Sequence, residues 1–331
     1  MRIARIIIPT ILLCNSFFAN ASDLRQIGLV NLPGSPGFGQ LAFADGMLLL
    51  PHTGASAVDV FDPVRRRTVA QITGLQSPRA VVADDQAGKV YVADHGSNSI
   101  AVITIDGWKV VDSIALSGAP DALLLDGTGK LYWSDAGSGT VSVLDLRTKQ
   151  NVATVDVGGA TRDLALDEAR HIVFATVQDL HQVVVLDPQL RIVNRFDLNG
   201  SQPTGLVYDP QNHELYVSVR SAVLAINAET GAEVSRVTAP EGVDALWLDP
   251  ESHTLYAASE GSLLVMTANG RLGLADDINT EVTGHTVAYD PAKRLLLVPG
   301  GREGKSKLPI FRPMKPTATP GAAQDTEAQV Q

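Results

Sequence analysis

Cysteine is almost missing from this chain. Its 331 residues hold one, Cys14, within an apolar run at the N-terminus. The body of the protein therefore forms no disulfide and offers neither a thiol nucleophile nor a c-type haem attachment. Positive charge is also scarce: 26 Lys and Arg stand against 36 Asp and Glu, a formal net charge of −10. That balance opposes binding to nucleic acid and to anionic membrane surfaces. The one basic cluster, Arg65, Arg66 and Arg67, lies between two strand-like runs and reads as a solvated turn. No stretch carries helical periodicity of useful length, and no Gly-x-Ser-x-Gly elbow is present. The segment PGGREGKSKLP (299–309) misses the phosphate-loop pattern, because Pro299 stands where glycine is required and no helix follows. It reads as a long, basic, mobile loop.

The ends are expected to lie outside the fold. Arg2 and Arg5 precede a short apolar run, Ile6 to Cys14, about half the length a membrane span needs. Ala19-Asn20-Ala21 has the small-x-small form of a signal-peptidase site, so residues 1–21 are expected to be a cleaved leader and the protein periplasmic or secreted. Losing two arginines takes the charge from −10 to −12. No membrane insertion is expected after cleavage. The Pro/Ala/Thr/Gln-rich tail, 313–331, has little to bury and reads as disordered.

What the chain has in abundance is repetition. Seven apolar pentamers close on an aspartate: LAFAD, AVVAD, ALLLD, DLALD, GLVYD, ALWLD and TVAYD, ending at Asp45, Asp84, Asp126, Asp167, Asp209, Asp249 and Asp290. The steps are 39, 42, 41, 42, 40 and 41 residues. Each pentamer is followed by a second apolar run (KVYVA, KLYWS, ELYVS), an alternating third (IAVITI, VSVLDL) and a more polar fourth (KVVDSI, NVATVDV). Four short strands per unit of about 41 residues is the period of a propeller blade. The first two runs are apolar enough for burial on both sides, and the charged fourth suits an outer edge. The seventh unit supplies three strands, ending at Lys307 to Phe311, and Leu24 to Val30 is expected to complete it. The fold class is thus all-β, a seven-bladed β-propeller over residues 22–312, expected to be monomeric.

The stretch KVYVADHGSNSIAVITIDGWKVVDSIALSGAP (89–120), with its copies at 130–160 and 214–237, resembles the YVTN-repeat β-propeller family, within the quinoprotein amine dehydrogenase-like propellers. The family's asparagine at the strand end is replaced by Asp94, Asp135, Thr176, Val219 and Ser259. The resemblance implies the fold. For function it implies a binding platform, a lactonase-like enzyme or an accessory subunit of a periplasmic redox enzyme.

Propeller geometry sorts the polar residues by face. Asp-Pro at 209–210, 249–250 and 290–291 is turn chemistry, and His171, His213 and His253 share one repeat position on that same face. On the opposite, top face the repeat position is filled unequally. Five residues before each aspartate stand Gln40, Arg79, Asp121, Arg162, Thr204, Asp244 and His285. At the end of the second strand stand His52, Asp94 with His95, Asp135, Gln178, Arg220, Glu260 and Arg302. Polar groups of mixed charge converging on a central mouth predict a binding site for a small molecule or a protein partner. No cofactor is expected. The alternatives are a Zn site from His52, His95 and His285, or a Ca-dependent lactonase site using carboxylates such as Asp121 and Asp244.

Overall fold

The computed structural model describes residues 24–313; the expected leader and the tail beyond 313 lie outside the described residues. The chain is an all-β, seven-bladed propeller, with no α-helix among the described residues. Blades 1 to 5 are separate four-stranded antiparallel sheets. Blade 2 is representative, with strands Pro78–Asp84, Lys89–Asp94, Ser99–Thr104 and Lys109–Ala115 from the axis outward. Ring closure follows the expected route: Leu24–Asn31 pairs antiparallel with Lys305–Pro313 as the outermost strand of blade 7.

Burial differs in one respect from the expected gradient. The second and third strands are the covered ones, as Leu48 to Leu50, Val90 to Val92 and Ile100 to Ile103 show. The first strands are only half-buried (Val82, Leu124, Leu125), because alternate side chains face the lumen of the channel. The core forms as apolar layers between neighbouring blades. Val60, Val81, Val92 and Ile103 join blades 1 and 2, and Leu48, Phe61, Leu297 and Ile310 join blades 1 and 7. Each such side chain contributes roughly 1.5–3 kcal/mol on burial, which is how a chain without disulfides holds a ring together.

The outer strands share a β-bulge. In blades 1 to 5 the ladder skips one residue at the same register, and the unpaired residue is Val69, Val111, Val152, Val193 or Val234. These valines are 41–56% exposed. Ala275 takes the position in blade 6 and Ile27 in blade 7. A bulge twists an edge strand and spoils it as a template for other chains.

One segment departs from expectation. The stretch 299–309 is not a loop: Gly300–Arg302 pairs with Lys305–Pro313 across Glu303 and Gly304, both at positive φ (53° and 72°), which is the twist a two-residue hairpin turn prefers. Gly301 also pairs with Thr283, so blades 6 and 7 are continuous as one eight-stranded sheet. His171, His213 and His253 have φ of 52°, 52° and 49°. They hold the left-handed residue of the turn between first and second strands, where blade 2 has Gly88.

Candidate functional site

The first strands begin crowded around the axis, and their backbones touch. Gln40 N donates to Arg79 O (2.9 Å), and Ala245 N donates to His285 O (2.9 Å). This contact explains two glycines. A Cβ at Gly39 would stand 1.8 Å from Arg79 O, and one at Gly205 2.1 Å from Asp244 O. Gln40 reaches further still, its side-chain amide meeting both backbone groups of Leu123 at 3.4 Å.

Those strand starts surround a cavity of about 300 Å³. All seven residues of the unequal repeat position line it: Gln40, Arg79, Asp121, Arg162, Thr204, Asp244 and His285. Apolar walls come from Phe38, Leu246 and Trp247, among others. The charges fall into separate corners. Asp121 is shared: Arg79 Nη1 lies 3.6 Å and His95 Nδ1 3.3 Å from its Oδ1, while Ala136 N donates to its Oδ2 (2.9 Å). Neither Arg79 Nε nor His95 Nδ1, both shielded from solvent, makes a well-directed hydrogen bond. Arg162 donates through Nε and Nη2 to the neutral Gln178 Oε1 (3.0 and 2.9 Å). His285 faces Glu260 at 3.8 Å.

One lining residue escapes the repeat-position argument. Asp163 follows Arg162, where the other blades carry Leu41, Ala80, Ala122, Gly205, Ala245 and Thr286. Its carboxylate accepts Leu164 N (2.9 Å) and, across the blade boundary, Leu206 N (3.0 Å). Desolvation among the crowded strand starts pushes Asp163 up to about 7, with Asp244 adding repulsion and the two amides opposing. Desolvation also raises Asp244, against the attraction of His285 and Arg162 and a hydrogen bond from Thr204. Asp244 still presents an exposed surface to the lumen, so its carboxylate is crowded by protein yet reachable by a ligand. The sequence signal for Asp163 was the first letter of DLALD. Trp247 and Phe38 gave none, since lumen-facing and core aromatics look alike in sequence.

The second-strand residues divide. His95 and Glu260 stand beside ring members, as described. His52, Asp94 and Asp135 are buried inside the blades, away from the cavity lining. Asp94 accepts Gln76 N (3.0 Å) and Ser77 N (2.7 Å), fixing the connector into blade 2. Asp135 accepts Ala119 N, Gly137 N and Ser138 N in the same manner. These carboxylates satisfy backbone donors that would otherwise be stranded. Arg220 pairs with Glu241, and Arg302 with Glu281.

His52 sits in a cluster whose connectivity resembles a catalytic triad, with Ser306 Oγ 3.2 Å from Nε2 and Asp59 Oδ2 2.7 Å from Nδ1. Ser306, His52 and Asp59 are all buried, and the nearer partner of Nε2 is Ser35 O at 2.7 Å. The imidazole therefore clasps the closing segment to blade 1, and Ser306 has no route to a substrate. The three histidines suggested for zinc do not converge. Among the described residues no group of three or more His, Cys, Asp or Glu is placed to hold a metal ion.

No family model and no curated protein sequence matches the chain. Solved structures do. A chain of the mitotic checkpoint complex is similar with a TM-score of 0.75 at 15% identity, covering 94% of this chain and 98% of that one. A chain of hydrazine synthase from Kuenenia stuttgartiensis gives a TM-score of 0.74 at 14% identity, covering 84% and 96%. At such identities the likeness establishes the propeller fold and nothing of the chemistry.

Proposed function

We propose that this chain is an exported binding protein, a propeller of YVTN type, that holds a small polar ligand at the mouth of its central channel. The observation that carries the reading is the convergence of seven equivalent strand starts, filled by five residue types of mixed charge, on one cavity of about 300 Å³. That volume is at the small end of small-molecule sites. A position kept only for structure would repeat its residue type, as the outer bulge does with valine in blades 1 to 5. The export part rests on the leader at 1–21 and on an acidic chain that relies on core burial.

The test is a thermal-shift screen against small sugars, organic acids, amino acids, amines and nucleotides, run in parallel on wild type, Arg162→Ala and Asp244→Ala. A ligand at a hundredfold excess over Kd stabilises the folded state by about 2.7 kcal/mol. At least one class is expected to raise Tm in wild type and to lose that effect in both variants. If no class raises Tm, or the shift survives both substitutions, the mouth is not the ligand site.

A further inference from the structure

We propose that the ligand of this mouth is a small zwitterion of the amino-acid class, its carboxylate on Arg162 and its ammonium between Asp163 and Asp244. This rests on the mouth being a ligand site and adds the ligand's chemistry.

The charge inventory of the lining leads to it. Arg79 and His95 both face Asp121, so that corner is balanced within the protein. Arg162 has only an uncharged amide as its hydrogen-bond partner. Asp244 has the Thr204 hydroxyl, with His285 and Arg162 as its electrostatic neighbours. Asp163 has two backbone amides and repulsion from Asp244. Among the described residues, Arg162, Asp163 and Asp244 thus make no salt bridge of their own in a cavity walled by Phe38, Leu246 and Trp247. A phosphate or dicarboxylate would answer Arg162 and be repelled by the aspartates. A simple amine would answer the aspartates and leave Arg162 with only the Gln178 amide. A neutral sugar would answer neither sign of charge. A ligand with one group of each sign at short separation answers both, and the apolar walls receive its side chain.

Asp163 stands in a repeat position that no other blade fills with a charge. Its raised proton affinity adds a second signature. An ammonium beside it favours the ionised form, so binding below about pH 7 releases a proton, and affinity falls as the medium is acidified. The charged group facing Asp163 in this linkage is Asp244, which itself faces His285 and Arg162.

The experiment is calorimetric titration of the folded protein with the common L-amino acids, one at a time. The best binder is then compared with its decarboxylated amine and its deaminated acid. The expected result is binding of the amino acid with at least tenfold loss for each truncated analogue. Arg162→Gln should bring the amino acid down to the level of the amine, and Asp244→Asn down to the level of the acid. Trp247 fluorescence reports occupancy independently. Equal affinity for the amino acid and either analogue overturns the proposal. If sugars or dicarboxylates raise Tm while no amino acid binds, the ligand site stands and this inference falls. If nothing binds, both fall. Should a variant fail to fold by circular dichroism, the analogue series on wild type decides alone.

Discussion

A single carboxyl in the channel couples the fold to pH. Asp163 is raised from 3.8 to about 7, so between those values the folded chain keeps a proton that the unfolded chain has lost. Stability must then fall as pH rises from about 4 to about 7, and the loss stays constant above. Urea unfolding should show this decline in wild type relative to Asp163→Asn, with the gap between the two curves unchanged beyond pH 8. A gap that is flat across pH 4 to 7 would mean that Asp163 titrates normally. This residue also marks where the sequence stopped being legible. The ring of seven could be found because a repeat position with varied occupants stands out against a regular background. Asp163 lies one letter further along, in a pentamer whose regular feature is its final aspartate. His52, Asp94 and Asp135 carried the opposite difficulty: an acidic or imidazole side chain at a strand end serves equally as a ligand contact or as an acceptor for buried amides. Which way it turns is decided by the connector beside it, not by its neighbours in the chain.

Among the strands, the alternation and the 41-residue spacing disclosed every blade, while the bulge in the outer strand stayed hidden. A valine in a polar edge strand reads as ordinary alternation until the ladder shows that it has no partner. The structure assigns Val152 to that unpaired place. Val152→Thr should change stability by less than about 0.5 kcal/mol, as a surface change. Inserting one residue between Thr154 and Val155, inside the paired part of the strand, should cost about 2 kcal/mol or more, because a one-residue slip there turns Val155 out of the core. Paired denaturation curves decide it; equal midpoints for the two variants would mean that the bulge has no fixed register. The hairpin at Gly300–Arg302 is hidden in the sequence for a related reason. Gly, Arg, Glu and Lys in a row look like loop composition, whereas two consecutive positive-φ residues between short strands form a tight turn.

At the level of the whole molecule, the ring depends on the noncovalent pairing of Leu24–Asn31 with Lys305–Pro313. Removing 24–31 takes away the packing of Ile27 and Val30 and bares an unprotected edge. The truncated protein should melt lower and elute as aggregate on size exclusion. A synthetic peptide LRQIGLVN added in trans should restore part of the lost Tm by strand addition. A truncated chain as stable and monomeric as the original would show that closure is not what holds the ring.

The register of that closure has a mechanical side. Leu24 stands opposite Pro313, at the open end of an antiparallel pair. Tension applied through the two chain ends would therefore load the hydrogen bonds one after another, as in a zip fastener, instead of all together in shear. Blade 7 should peel at low force while blades 1 to 5, closed within themselves, stay intact. A propeller built this way resists heat through its core and yields easily to a pull on its ends.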